Sequence, residues 1–179
     1  MFVSESIPLT VSPEGGVMVT ASNNVVSRGG NATFVCSAMG GPENSYTWML
    51  NEDTIGNEST LAVRDIDASS GGHYTCMVSN AAGTDSASIT LFVAPYIATP
   101  LDEQLFTASG SNVNIICDVT GFPSPTVNWV DMNNIEVSDS ARLQFNPVMF
   151  GDEGLYRCVA AAEINGMNFS VSDDNILVG

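Results

Sequence analysis

Cys36, Trp48, Tyr74 and Cys76 recur along this chain as Cys117, Trp129, Tyr156 and Cys158. In both sets the tryptophan follows the first cysteine by 12 residues, and the tyrosine stands two residues ahead of the second cysteine. The sets are offset by 81 residues at the first cysteine and tryptophan and by 82 at the tyrosine and second cysteine, so one structural unit is used twice.

Side chains alternate faces along a strand, and the residues around each landmark alternate in that way. Ala32, Phe34 and Cys36 read as inward positions separated by Thr33 and Val35, and Val113, Ile115 and Cys117 repeat the pattern around Asn114 and Ile116. The tryptophan segments give Tyr46, Trp48, Leu50 and Val127, Trp129; the second-cysteine segments give Tyr74, Cys76, Val78 and Tyr156, Cys158, Ala160. The expectation is an all-β chain of half-buried antiparallel strands.

Cysteine, tryptophan and Tyr-x-Cys in this order resemble the immunoglobulin superfamily. The run into the second cysteine narrows the likeness to the intermediate set, which reads Leu-x-Ile-x-x-Val-x-x-x-Asp-x-Gly-x-Tyr-x-Cys. The second unit follows it with Leu143, Phe145, Val148, Asp152, Gly154, Tyr156 and Cys158; the first has Leu61, Val63, Ile66, Ser70, Gly72, Tyr74 and Cys76. Ser70 stands where aspartate is usual, and its hydroxyl accepts a turn N–H more weakly than a carboxylate does. Gly121-Phe122-Pro123-Ser124-Pro125 ahead of Trp129 is also similar to the set. About 40 residues between the cysteines of a set leave no room for the extra strands of a variable-type domain, so the resemblance is to an intermediate or constant-2 type.

The resemblance implies two Greek-key β-sandwiches in tandem, each with Cys36–Cys76 or Cys117–Cys158 bridged across the core. It also implies an indole (Trp48, Trp129) packed on each bridge and a tyrosine corner at Tyr74 and Tyr156. A bridge closing such a loop contributes roughly 4 kcal/mol in the chain-entropy model, comparable with the whole stability of a small domain. The domains are expected at residues 13–94 and 95–179, joined at Val93-Ala94-Pro95. A shift of 82 lays Ser6, Ile7, Leu9, Val11 and Pro13 onto Ser88, Ile89, Leu91, Val93 and Pro95. Residues 1–12 therefore read as the tail of a preceding domain, or else as a first strand of unit one.

With all four cysteines assigned to structural pairs, an oxidising compartment is expected. Glycosylation sequons at Asn31-Ala32-Thr33, Asn57-Glu58-Ser59 and Asn168-Phe169-Ser170 point the same way. Asn168 follows an Asn165-Gly166 pair of hairpin-turn type. No membrane span or signal-peptide core is found, so for a surface protein those elements are expected outside this segment.

The chain carries 20 acidic residues, four arginines and no lysine, a net charge of −16. Such a charge repels phosphate backbones and anionic lipid heads, which excludes nucleic acid and direct membrane contact as expected partners. Only 13% of residues are charged, so the surface leans on serine, threonine and asparagine. A basic protein partner or bridging cations would relieve the self-repulsion.

Catalysis is not expected. His73 is the one histidine, on the outward side of a strand, and the cysteines are assigned to bridges. Neither a phosphate loop nor a dinucleotide fingerprint occurs. Glu52-Asp53, Asp102-Glu103 and Asp173-Asp174-Asn175 lack the spacing of a calcium loop, so no metal and no cofactor are expected.

Recognition remains. Outward alternation exposes Thr47 and Met49 on the tryptophan strand, and His73, Thr75 and Met77 on the neighbouring cysteine strand. Methionine adapts to varied partner shapes, which marks Met49, Met77, Thr47 and Thr75 as a candidate binding face. Val130, Leu155 and Val159 occupy the equivalent face of the second unit. The expected function is that of an extracellular segment acting in cell adhesion or recognition by protein–protein binding, homophilic or heterophilic. The resemblance leaves open the ectodomain of a receptor tyrosine kinase and an intracellular muscle-type array.

Overall fold

The computed structural model describes residues 16–39, 43–102 and 104–178. The reading of residues 1–12 lies outside them. Two compact units result, the first drawing on residues 16–24, 31–65 and 72–91 and the second on 25–30, 66–71 and 92–178.

The strands of the first half are β1 (Met18–Ala21), β2 (Val25–Val26), β3 (Ala32–Ser37), β4 (Ser45–Leu50), β5 (Asp53–Gly56), β6 (Thr60–Val63), β7 (Gly72–Asn80) and β8 (Gly83–Thr99). Those of the second half are β9 (Gln104–Phe106), β10 (Val113–Ile116), β11 (Asp118–Phe122), β12 (Thr126–Asp131), β13 (Glu136–Ser138), β14 (Arg142–Phe145), β15 (Gly154–Ile164) and β16 (Met167–Val178). β8 runs without a break through Val93-Ala94-Pro95.

In the first unit, β1, β3 and β6 form one antiparallel sheet, and β5, β4, β7 and β8 pair in that order in the other. The alternation of β3 puts Ala32, Phe34 and Cys36 inside, where they meet Trp48, Tyr74, Cys76, Val78 and Leu91, all at 2% exposure or less. Phe34 lies 4.8 Å from Tyr74 and 6.1 Å from Trp48, centroid to centroid. Each large apolar side chain buried here contributes about 1.5–3 kcal/mol. Cys36 and Cys76 are bonded and tie the two sheets together.

The second unit repeats the plan. β10 pairs with β14, and β13, β12, β15, β16 and β9 form a five-stranded sheet in which β9 lies parallel to β16. Its core is Val113, Ile115, Cys117, Trp129, Leu143, Val148, Cys158 and Leu177, with Cys117 bonded to Cys158. Both tryptophans sit directly opposite the second cysteine of their unit, Trp48 across from Cys76 and Trp129 across from Cys158. Their indole N–H groups are satisfied by the carbonyls of Glu58 at 3.0 Å and Ala141 at 3.2 Å. A buried indole without such a partner would be costly.

Glycine is required at two places in the fold. Asn165 and Gly166 have φ of 53° and 77°, the left-handed pair that a tight hairpin needs, and they set Ile164 opposite Met167. Gly72 has φ of 153°, and a Cβ there would lie 2.8 Å from Leu50 Cδ1, which explains the glycine of the Gly-x-Tyr-x-Cys run.

Candidate protein-binding face

Because Trp48, Tyr74, Cys76 and Val78 point into the first core, the residues between them must point out. Register brings these together: Thr47 lies opposite Met77 and Met49 opposite Thr75, so the four residues expected to form a face are immediate neighbours. All four are half-buried. Partial burial leaves part of each methionine side chain open to a partner.

β8 extends this face with residues that were not singled out from sequence. Thr75 lies opposite Ser88, His73 opposite Thr90 and Met77 opposite Ser86. Hydroxyls join across the strands: Thr75 Oγ1 to Ser88 Oγ at 2.8 Å, Ser79 Oγ to Thr84 Oγ1 at 3.0 Å, and Thr90 Oγ1 to His73 Nδ1 at 2.8 Å. The outward positions of β4, β7 and residues 84–90 of β8 hold only serine, threonine, methionine and His73, with no carboxylate. The alternation Thr84, Ser86, Ser88, Thr90 against Ala87, Ile89 and Leu91 is the signal that could have found them.

The equivalent face of the second unit differs. Val130 lies opposite Arg157, and Arg157 Nε pairs with Asp174 Oδ1 at 2.7 Å across β15 and β16. Hydrogen bonding to Asp174, and then its charge, raise the Arg157 pKa above the usual value. Asn128 donates to Glu136 at 3.1 Å on the same sheet. Val130, Leu155 and Val159 are thus half-buried among charged groups.

The turns that lead into the second-cysteine strands are held electrostatically. Tyr156 donates its hydroxyl to the carbonyl of Asp152 at 2.8 Å, the geometry of a tyrosine corner. Burial, followed by the charges of Asp152 and Asp131, pushes the Tyr156 phenol above its ordinary pKa. Burial does the same to Tyr74. Asp67 caps the short 3-10 turn Ala68–Ser70, and its carboxyl is held below the usual range by the Ser69 hydroxyl, with the N–H groups of Ser69 and Ser70 adding to the effect.

The sequon asparagines Asn31, Asn57 and Asn168 are all exposed. Asn31 immediately precedes β3, a strand of the sheet opposite the candidate face, whereas Asn57 immediately follows β5, the edge strand of the sheet that carries the face. Of the acidic residues weighed for calcium, Asp173 and Asp174 have other partners, and Glu103 lies outside the described residues. Asp173 accepts the N–H of Leu101 at 2.7 Å, Asp174 pairs with Arg157, and Asn175, 1% exposed, donates to the carbonyl of Asp102.

Family comparison matches residues 16–80 and again residues 94–161 to the immunoglobulin domain. The chain belongs to the immunoglobulin domain family. Among curated relatives, this pair of immunoglobulin domains is 31% identical to hemicentin-1 of Mus musculus over 88% of the chain, and 29% identical to neural cell adhesion molecule 1 of Gallus gallus over 74% of it. The chain spans only 3% and 15% of those two proteins. Among solved structures, a titin fragment shares the immunoglobulin fold with a TM-score of 0.60 at 18% identity, over 88% of this chain and 95% of that one.

Proposed function

We propose that this chain is an extracellular recognition segment that acts by binding another protein and requires no catalytic group, with immunoglobulin domains at residues 13–94 and 95–179. The observation that carries the reading is the neutral patch in which Thr47 meets Met77 and Met49 meets Thr75, on a chain whose net charge is −16. With no carboxylate on these positions, a partner protein can approach the face without meeting the charge carried elsewhere on the chain. Similarity to neural cell adhesion molecule 1 supports adhesion as the setting. Cysteines joined in pairs and exposed sequons fit an oxidising, glycosylating compartment.

The test is surface staining. A labelled multimer of the segment, secreted from eukaryotic cells, is applied to panels of cells, and binding is compared with that of the Met49→Ser/Met77→Ser double variant. Loss of staining in the variant supports the reading; undiminished staining overturns the assignment of the face. Titration of native thiols separates this reading from an intracellular muscle-type array: bridged cysteines give none, reduced ones give four.

A further inference from the structure

We infer that the neutral face of the first unit docks a second copy of this chain, face to face about a two-fold axis. The inference deepens the recognition reading above and rests on it, since it names the partner of the same face.

Charge selects the partner. Two molecules of net charge −16 repel wherever their carboxylates approach within the screening length of about 8 Å at physiological salt. A basic partner would be held by carboxylates, and this face has none. A second copy needs the reverse, a surface without them, and the outward side of β4, β7 and β8 provides it. The second unit serves as an internal control: the equivalent sheet face there carries Arg157, Asp174 and Glu136.

Hydroxyl chemistry is also self-complementary. A serine or threonine both donates and accepts, so a face lined with them can bond to its own image across a two-fold, whereas a face of one charge cannot. The cross-strand bonds of Thr75 with Ser88, Ser79 with Thr84 and Thr90 with His73 already restrict these rotamers, which lowers the entropy cost of docking. Met49 and Met77 supply polarisable contact area between the hydroxyl rows. A glycan on Asn31 would emerge from the end of the opposite sheet and leave this face clear.

Size sets the strength. Three strands about 4.8 Å apart and seven residues long at about 3.4 Å each cover roughly 340 Å². A standard stable interface needs about 800 Å² per partner, so a single contact is weak and becomes effective when copies are arrayed on a surface.

Sedimentation velocity on the secreted chain, at increasing concentration and at about 0.05 M and about 0.5 M NaCl, tests the inference. The expected result is a monomer–dimer equilibrium with a Kd above about 10 µM that tightens several-fold with salt. Met77→Glu and Ser88→Glu should each weaken it at least tenfold, and Val159→Glu on the second unit should leave it unchanged. Circular dichroism confirms that each variant is folded. A monomer at every concentration, an association that loosens with salt, or two glutamate variants that dimerise like the parent overturns the inference. If the chain stays monomeric while the double methionine variant still loses cell staining, the face recognises a different protein; the recognition reading survives and the second copy does not.

Discussion

Ser70 and Asp152 hold the same place in the two repeats and take the same backbone hydrogen. Ser70 Oγ accepts the N–H of Asp67 at 3.3 Å, and Asp152 Oδ2 accepts the N–H of Met149 at 2.7 Å. The first bond is neutral and long, the second charge-assisted and short. In the first repeat the missing carboxylate is supplied from Asp67, whose Oδ1 takes the N–H groups of Ser69 at 2.9 Å and Ser70 at 3.2 Å. Aspartate at position 70 would set a second carboxylate against this one. Ser70→Asp is therefore expected to lower the thermal midpoint even though it restores the family pattern, while Asp152→Ser should cost about 1 kcal/mol in urea unfolding.

Acid sensitivity follows from the same turn. The carboxyl of Asp67 titrates below its ordinary value in the folded chain, so its contribution is complete above pH about 4 and is lost as pH falls through the lower folded value. Thermal unfolding between pH 6 and 2 should show a decline that is shallower in Asp67→Asn than in the parent. An unchanged slope would remove Asp67 from the account.

At the alkaline end the sign reverses. Burial and the nearby carboxylates raise the Tyr156 phenol, so the folded state keeps the proton longer than the unfolded state does. The stabilisation is complete below pH about 10 and is lost as pH rises through the folded value. Tyr156→Phe removes the bond to the Asp152 carbonyl, with an expected loss of about 1 kcal/mol at neutral pH and a weaker decline above pH about 10.

Each disulfide closes a loop of similar length, 40 residues for Cys36–Cys76 and 41 for Cys117–Cys158. Replacing either pair by alanine should cost about 2–5 kcal/mol, by equilibrium unfolding of the affected unit. Trp48 and Trp129, each opposite a bridged cysteine, report the transitions by fluorescence when the other is changed to phenylalanine.

The bridges, the tryptophans and the tyrosine corner of the second unit were legible in the sequence because each depends on spacing along one or two strands, and alternation carries that information. Met49 and Met77 were legible as outward residues for the same reason. Their pairing with Thr75 and Thr47 depends on the register between β4 and β7, which local pattern does not fix. Ser86, Ser88 and Thr90 went unnoticed because small polar residues on a strand resemble ordinary solvated surface. Their significance comes from the absence of carboxylates over three neighbouring strands. Likewise the Val93-Ala94-Pro95 segment reads as a junction, yet β8 continues through it, since proline is compatible with a strand where the pairing is irregular and the register of β8 with β11 shifts between Val93 and Tyr96.

Methyl NMR of methionine-labelled protein tests the binding face most directly, because the chain carries reporters in both units. As concentration rises, the Met49 and Met77 methyl resonances should shift together along one binding curve. Met18, Met132, Met149 and Met167, at 60%, 69%, 63% and 56% exposure, should remain in place. Shifts confined to those four, with Met49 and Met77 unmoved while association proceeds, would contradict the account.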